Sequence, residues 1–470
     1  MRPVHAAGCL FVRVDRSPGR VILLCREAWL ALHLPVFVCS PRYLHSELQT
    51  DEDVTEWASS SLRSVLCQTC SSLRVRPGPR SGISYAYLTI KNKSALAATA
   101  PRIKVRPIVS HCCHPCRSVL SIAGRALALL VEVATAAVQH MYPLHIPMWR
   151  LHAGSLAWVT LLCSRADIVG CFLNTPRQMV LQALDFWLGF NSSRTRQQPW
   201  FAISKDGKQA DYRGRPCSPH YWELSTTQLR ALVVWKMECN AFFKVATESA
   251  AGQALTQYRR LPIGGCFSAA LGELVALWRD CTQPRPQSVA ALPTARYRDN
   301  YFVALAAAAA AVLDFQSVAA GLSDLLAMPV KFEQSGCHVR CLELRLLFRD
   351  GAPVHVTVAF RTDADRQGEA GNVTAWPGRF DPRTPRVLPG LLAGLAAKLR
   401  HYRARGARGF TAAIRRAVQF VKAKGYPSRW WVRRFALALL RHGVPPGCMP
   451  YLLRRAGSGL LPPGCRSSEQ

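Results

Sequence analysis

Two aspartates in separate apolar stretches have the residue type and the setting to bind a divalent cation. Asp299 stands in ARYRDNYF, a pattern typical of a β-hairpin with a polar tip. Asp167 ends the apolar run VTLLCSRAD, which predicts a strand followed by a turn and a helix. Carboxylate oxygens at a strand end are suitable ligands for Mg²⁺. For Asp167 taken alone, an ordinary solvent-exposed turn residue is the alternative interpretation.

Two smaller features lie between these aspartates. Phe172 follows Asp167 by five residues and could stack against a sugar. Gly264 and Gly265, in IGGCFS, precede an apolar helix that is predicted to begin near Ser268. Glycines ahead of a helix let the backbone approach a substrate closely. The glycine pattern alone is weak evidence for any one function.

A short basic strand is predicted upstream of both aspartates. Lys104 and Arg106 alternate with apolar residues in IKVRPIV, so they share one side of a strand, and Pro107 favours an edge position or a strand end. Lys and Arg neutralise phosphate oxygens, so this side would suit a triphosphate. A solvated basic face without a ligand fits the spacing equally well.

The next segment, HCCHPC at residues 111–116, contains five potential zinc ligands. Common zinc sites use two separated pairs of ligands. Here the candidates are crowded together and no clear second pair follows. We therefore do not expect zinc at this segment.

Composition points to a globular protein with a polyanionic partner. The chain has 470 residues, and 49% of them are apolar, which is enough for a sizeable core in two or three subdomains. Lys and Arg number 60 against 28 Asp and Glu, a net charge of +32. This excess favours nucleic acid over a membrane surface as the partner.

The cysteines and the apolar segments indicate the compartment. Eighteen cysteines are scattered through apolar stretches and no secretory signal opens the chain, so we expect reduced thiols inside the cell. The longest apolar segment, residues 119–139, contains Arg125 and Glu132, so no transmembrane span is predicted.

Periodicity predicts a mixed α and β chain. Residues 10–48 are expected to begin with a strand, a turn around Asp15, Pro18 and Gly19, and a second strand. Two or three antiparallel strands are expected through residues 329–361, with joints at Ser335–Gly336 and Asp350–Gly351. Residues 191–220 read as a loop or hairpin, and residues 363–389 as a linker. Helices are expected within residues 47–72, from about Ser268, and at residues 119–140, 178–190, 224–247, 391–402, 410–423 and 428–442. The alanine run at residues 306–311 could continue a strand or begin a helix, and helix propensity favours the helix.

The last three predicted helices carry charge of one sign. Residues 382–468 contain eighteen Lys and Arg and no acidic residue. Phosphates would relieve the resulting repulsion, and the aromatic residues Tyr426, Trp430 and Trp431 could either stack on bases or fill the core. The residues predicted to contact nucleic acid are Lys422, Lys424, Arg429, Arg433 and Arg434.

Taken in order, these segments resemble those of a reverse transcriptase, most closely of the Penelope-like retroelement group. KVRPIVS resembles the fingers motif that contacts the triphosphate and template. ADIVGCFLNTP resembles motif A, IGGCFS motif B and RYRDNYF the motif C hairpin, and KGYPSRWWVRRFAL resembles the basic helix that closes the thumb. The resemblance runs from about Val14 to Gly443, and it depends on the order and spacing of the motifs.

The resemblance implies an α+β right-hand fingers, palm and thumb fold with an antiparallel palm sheet and a basic helical thumb. Residues 1–160 would form the fingers and the start of the palm, residues 161–361 the palm, and residues 362–470 a linker and the thumb. The implied activity is RNA-directed DNA synthesis with two Mg²⁺ or Mn²⁺ ions. RNA template, DNA primer and nucleoside triphosphates would be the partners, with no membrane; a nuclear address is compatible with this role.

The resemblance also implies roles for single residues. Asp167 and Asp299 would hold the metal ions, and Lys331 would supply a proton to the leaving pyrophosphate unless it is an ordinary surface lysine. Phe172 would disfavour a 2′ hydroxyl. The family has a second aspartate where this chain has Asn300, and no GIY-YIG endonuclease sequence occurs. A decayed or domesticated relative that binds nucleic acid without catalysis is therefore the alternative function.

Overall fold

The computed structural model of this chain describes most of its residues. The described residues are 9–13, 21–41, 43–48, 50–69, 73–75, 82, 84–90, 103, 105–141, 161–168, 174–195, 200–205, 209–213, 219–238, 242–244, 254–257, 261, 264–283, 294–297, 300–306, 315–336, 338–341, 344–347, 357–360, 384–399, 406–450 and 452.

Strands and helices alternate irregularly along these residues. The strands are β1 (Cys9–Arg13), β2 (Val21–Cys25), β3 (Tyr43–His45), β4 (Ser84–Ile90), β5 (Val105–Ser110), β6 (Leu161–Ile168), β7 (Trp200–Ser204), β8 (Ala210–Arg213), β9 (Tyr221–Ser225), β10 (Phe242–Lys244), β11 (Ala254–Gln257), β12 (Thr294–Tyr297), β13 (Asn300–Ala306), β14 (Val330–Gly336), β15 (His338–Cys341), β16 (Leu344–Leu347) and β17 (Thr357–Phe360). The helices are α1 (Arg26–His33), α2 (Asp51–Gln68), α3 (Arg117–Met141), α4 (Arg177–Thr195), α5 (Thr226–Glu238), α6 (Ser268–Thr282), α7 (Phe315–Leu326), α8 (Thr384–Leu399), α9 (Gly406–Ala423) and α10 (Ser428–Arg441).

A four-stranded sheet in the order β12-β13-β6-β14 lies at the centre of the chain, and all its pairings are antiparallel. Ile168 of β6 and Tyr301 of β13 are buried in the same apolar cluster as helices α3, α4 and α6. The helices therefore cover one face of this sheet. An antiparallel central sheet with packed helices agrees with the predicted fold class.

The helices behind this sheet are joined by apolar packing and by one buried hydrogen bond. Leu127, Trp187 and Leu274 are almost fully buried where α3, α4 and α6 meet. The Trp187 indole Nε1 donates to the Leu274 carbonyl at 3.1 Å, which satisfies the one polar atom of this large side chain. On the surface, Arg230 of α5 makes a bidentate ion pair with Asp185 of α4.

A second sheet has the order β3-β11-β10-β4-β5 and is mixed, because β10 pairs with β4 in parallel. β5 lies at its edge, as Pro107 led us to expect, since proline cannot donate to a neighbouring strand. Two three-stranded sheets (β8-β7-β9 and β15-β16-β17) and the β1-β2 hairpin complete the strand pairings of the described residues.

Helices α8, α9 and α10 share an apolar cluster of their own. Leu392, Val421 and Phe435, one from each helix, are fully buried in it. The predicted stacking residues Tyr426 and Trp431 are also buried, at 5% and 1% exposure, so they belong to the core rather than to a base-stacking surface. Trp430 packs against the same cluster and is partly buried.

The helix predicted at residues 224–247 is shorter than expected. β9 extends to Ser225, and α5 ends at Glu238 before β10. Ser225 and Gln228 form reciprocal side-chain to backbone hydrogen bonds of 3.1 and 2.9 Å, a capping box that starts the helix at Thr226. The Phe-Phe pair at residues 242–243 then favours a strand.

The predicted linker at residues 363–389 was wrong at its end, because α8 begins at Thr384 and contains Pro389. Pro389 has no N–H to donate to the Pro385 carbonyl one turn earlier. The Arg434 Nη1 atom of α10 donates to that carbonyl at 3.3 Å. A contact between distant segments thus compensates a proline that local sequence reasoning treats as a helix breaker.

Two further predictions agree with the structure only in part. The first strand of residues 329–361 ends at Gly336, at the expected joint, but the residues that follow it form an additional antiparallel pair, β15 and β16. The helix favoured for the alanine run does not begin at Ala306, which ends β13, and residues 307–311 lie outside the described residues. The Asp350–Gly351 joint is also outside them.

One described helix is long and apolar enough to cross a membrane by length and composition, namely residues Arg117–Val138 of α3. Leu120, Ala123, Leu127 and Leu130 on this helix are fully buried in the main apolar cluster. One face of this helix therefore packs in the main apolar cluster.

Candidate active site

The central sheet brings three of the predicted catalytic residues into one row. Asp167 of β6 pairs directly with Asn300 of β13 on one side and with Lys331 of β14 on the other. Opposite residues of antiparallel strands occupy the same face. Ile168 and Tyr301, which are next to the row in sequence, belong to the buried face, so the row belongs to the opposite face. The exposed side chain of Lys331 agrees with this assignment.

The β12-β13 hairpin carries the predicted motif C. Tyr297 pairs with Asn300, so two residues, Arg298 and Asp299, connect the strands. Asp299 lies outside the described residues, and the side chains of Asp167 and Asn300 do so as well, although their backbones are described. Beyond Lys331, the register of β14 shifts between Phe332 and Gln334, a bulge of the kind found beside active sites.

The donor types in this row are compatible with magnesium. A carboxylate from Asp167 and an amide oxygen from Asn300 are hard oxygen ligands, which Mg²⁺ prefers. Among the described side chains, no group of three or more His, Cys, Asp or Glu residues could hold a metal ion. The two aspartates that the sequence predicts as ligands are not among those side chains.

The predicted motif B segment is held tightly against the edge strand β5. Gly264 has a φ of +105°, and a Cβ atom there would lie 2.4 Å from the Val109 carbonyl oxygen. Only glycine fits both the positive φ and this contact. The turn that the sequence treats as a weak signal is therefore fixed to the strand that carries Arg106.

A second glycine supports the same segment from the other side. A Cβ atom on Gly124 of α3 would lie 2.8 Å from the Cys266 carbonyl oxygen. Ser268 begins α6 and is buried, and together with Gly265 it lines a cavity of about 10 Å³, room for about one water. Sequence reasoning missed Gly124, whose only signal is a glycine inside a strongly apolar helix.

The remaining predicted substrate residues are placed as follows. Arg106 is half-buried on β5, and its carbonyl accepts a hydrogen bond from the Thr89 hydroxyl of β4 at 3.3 Å. Lys104 and Phe172 lie outside the described residues.

No protein-family model matches the chain, and no curated protein matches it significantly. Among solved structures, it is similar to telomerase from Candida albicans in complex with a TWJ fragment of telomeric RNA, at 10% identity over 97% of this chain and 72% of that chain, with a TM-score of 0.48. Apo telomerase from Candida tropicalis matches at 7% identity over 97% of this chain and 74% of that chain, also at 0.48. An RNA polymerase complex inside a dsRNA virus matches at 14% identity over 82% of this chain and 31% of that chain, at 0.35.

The five basic residues predicted to contact nucleic acid lie on α9, α10 and the turn between them. Arg429 and Arg433 are one turn apart on the exposed side of α10, opposite buried Trp431 and Phe435. Lys422 is exposed near the end of α9. Lys424 is half-buried, with its ammonium group 5.1 Å from the centre of the Phe420 ring. Arg434 is the residue that binds the Pro385 carbonyl of α8.

A buried basic cluster beside the motif B segment was not anticipated. His111 and His114 stack with their ring centres 5.8 Å apart, near Lys236 of α5, which is 7% exposed. Burial and the Lys236 charge lower the pKa of His111 to about 3, and burial with the charges of Lys236 and His111 lowers the pKa of His114 well below its ordinary value. Both rings are thus neutral at pH 7 and serve the packing beneath the Gly264 turn.

Proposed function

We propose that this chain is an RNA-directed DNA polymerase of a retroelement, similar to the Penelope-like group, with a fingers, palm and thumb arrangement. The observation that carries the proposal is the pairing of Asp167 with Asn300 on the sheet face opposite the helices. This pairing sets the motif A strand beside the motif C hairpin, whose connection contains Asp299. The Gly264 turn, fixed to β5, adds the predicted motif B beside the strand of Arg106.

In the proposed reaction, a primer 3′ hydroxyl attacks the α-phosphate of a nucleoside triphosphate in line and pyrophosphate leaves. Asp167, Asp299 and Asn300 would hold two Mg²⁺ ions, which stabilise negative charge on the attacking and leaving oxygens. Lys104 and Arg106 would bind the triphosphate beside the turn at Gly264 and Gly265, and buried Ser268 would support that turn. Lys331, exposed beside Asp167, would protonate the leaving pyrophosphate.

The basic helices would bind the primed template. Exposed Arg429, Arg433 and Lys422 lie on helices whose apolar faces are buried together, so their charges are available to phosphates. We further propose that the chain works inside the cell, with a nuclear address suited to DNA synthesis.

Extension of a primed poly(rA) template with dTTP and Mg²⁺ or Mn²⁺ tests the proposal. The native chain and Asp324→Ala, an exposed aspartate on α7, should extend the primer, whereas Asp167→Ala should not. Primer extension by Asp167→Ala would show that Asp167 is not an active-site residue.

Asn300 favours a second candidate function, a polymerase-like protein that binds nucleic acid without catalysis. A neutral amide opposite Asp167 weakens metal binding by removing one formal charge. If the native chain does not extend the primer and Asn300→Asp does, the polymerase fold is intact and the active site has decayed. If neither protein extends the primer but primed duplex still binds in a salt-sensitive manner, the binding function is favoured.

A further inference from the structure

Two adjacent thiols are held side by side in the turn between β5 and α3. The Cys112 and Cys113 sulfur atoms are 3.5 Å apart, and Cys112 is exposed. The Gly82 N–H donates to the Cys113 carbonyl at 2.9 Å, and the Arg117 guanidinium donates to the Cys112 carbonyl at 3.1 Å. The backbone of the turn is therefore fixed from two directions.

Polar groups from three elements surround the Cys112 sulfur. The Ser110 hydroxyl donates to it at 3.2 Å, the Tyr85 hydroxyl of β4 lies 3.8 Å away, and Arg117 of α3 is nearby. The Ser110 hydrogen bond is the main reason that the pKa of Cys112 is lowered, and Cys113, Tyr85 and Arg117 act in the same direction against partial burial. A thiolate is the reactive form of cysteine toward oxidants and other electrophiles.

We propose that Cys112 and Cys113 form a reactive dithiol that a hydroperoxide converts into a reversible disulfide. The Cys112 thiolate attacks the peroxide O–O bond, an S–O bond forms, and hydroxide leaves and takes up a proton. The Cys113 thiol then attacks the Cys112 sulfur, an S–S bond forms, and water leaves with the Cys113 proton. Overall, two thiols lose two electrons and two protons, and hydrogen peroxide is reduced to two waters.

The adjacency of the two residues makes this disulfide easy to reduce. Consecutive Cα atoms are about 3.8 Å apart, whereas most disulfides join Cα atoms about 4.4–6.8 Å apart. A bridge outside that range is strained, and strained exposed bridges are the labile ones. The chemistry suits a reversible modification and does not depend on the proposed polymerase activity.

Peptide mapping of the full chain after brief exposure to hydrogen peroxide tests the proposal. After denaturation and alkylation of the remaining thiols, the tryptic peptide of residues 105–117 should carry one alkyl group and one internal disulfide instead of three alkyl groups. Dithiothreitol added before alkylation should restore the form with three alkyl groups. Fragmentation at Pro115 separates Cys116 from the pair. Among the described residues, the other exposed cysteines are Cys25, Cys39 and Cys67, and these should stay reduced at the same dose.

Variants separate this chemistry from general oxidation. Cys113→Ser should accumulate a sulfenic acid on Cys112 that dimedone traps, and Ser110→Ala should slow oxidation several-fold. Cys116→Ser should change nothing, because the Cys116 thiol is fully buried and donates to the Ala58 carbonyl at 3.4 Å. Oxidation of Cys112 no faster than that of Cys67, or a bridge from Cys112 to Cys116, would overturn the proposal.

Discussion

Asp167 on β6 pairs directly with Asn300 on β13, the position that follows Asp299. Segments far apart in the chain therefore meet on the sheet face that the helices leave free, since neighbouring Ile168 and Tyr301 fill the covered face. Residue 300 thus provides a neutral amide at a position where a second carboxylate would bind a cation more tightly. Residue 300 is thus the position at which the active and decayed interpretations differ.

Asn300→Asp should lower the Mg²⁺ concentration needed for half-maximal primer extension, by about tenfold. The physical reason is an added negative charge opposite Asp167 in the same row. A Mg²⁺ titration of extension rate measures the effect. Gln316→Glu, on the exposed side of α7, adds the same charge elsewhere and should leave the titration unchanged. An equal shift in both variants would trace the effect to net charge instead.

Gly264→Ala should destabilise the protein, by about 1–3 kcal/mol. Alanine disfavours the φ of +105°, and its Cβ would meet the rigid Val109 carbonyl at 2.4 Å. Thermal unfolding measures the change as a lower Tm. Gly189→Ala is the matched control, because nothing lies within 4 Å of its Cβ position on α4, and alanine there should raise the Tm. Equal effects at both sites would contradict the close contact.

Local patterns predicted several elements well. The helix expected at residues 428–442 is observed at Ser428–Arg441, because its apolar and basic residues alternate with helical spacing. The hairpin strands β12 and β13 and the edge strand at Pro107 also depend on local signals, and their strand pairings are observed.

Partners across the sheet could not be predicted in the same way. Strand alternation assigns a residue to a face, but it does not say which strand lies beside it, so the row from Asp167 to Lys331 required the structure. Contacts between distant segments explain the other differences. Arg434 of α10 donates a hydrogen bond that supports the helix around Pro389. Glycine is required at position 264 because the Val109 carbonyl lies so close, and this contact cannot be read from the sequence around Gly264.

Neighbouring arginines on α10 should differ in what they stabilise. Arg434→Ala should lower the Tm of the full chain, because the Pro385 carbonyl loses its donor, an effect of about 1 kcal/mol. Arg433→Ala, exposed beside it, should leave the Tm unchanged. Thermal unfolding of the two variants in one buffer makes the comparison. An unchanged Tm in Arg434→Ala would show that this hydrogen bond does not support α8.

The Arg429→Ala and Arg433→Ala double variant should bind primed duplex more weakly and with less salt dependence. Each phosphate contact removed should reduce the slope of log affinity against log salt by about 1. Binding measured across a salt series gives this slope. Arg63→Ala, an exposed arginine on α2, is the control and should keep the native slope. An unchanged slope in the double variant would exclude α10 from the nucleic-acid interface.

His33→Phe should stabilise the protein at pH 7, by about 1 kcal/mol. The His33 ring is fully buried between Trp29 and Phe37, at centroid distances of 4.9 and 4.8 Å, and neither ring nitrogen has a hydrogen-bond partner among the described residues. Phenylalanine keeps the ring contacts and removes the unsatisfied polar atoms.

The same substitution should flatten the pH dependence of stability. Burial lowers the pKa of His33 to about 4, from an ordinary value near 6.5. As the pH falls below about 6.5, the unfolded chain binds this proton first, so native stability declines between about pH 6.5 and 4. His33→Phe removes the contribution of His33 to this loss of stability, while the contributions of His111 and His114 remain. Tm measured from pH 7 to 5 should therefore fall less for His33→Phe than for the native chain or for His45→Gln, an exposed control. Parallel declines in all three would mean that His33 is protonated equally readily in the folded and unfolded chains.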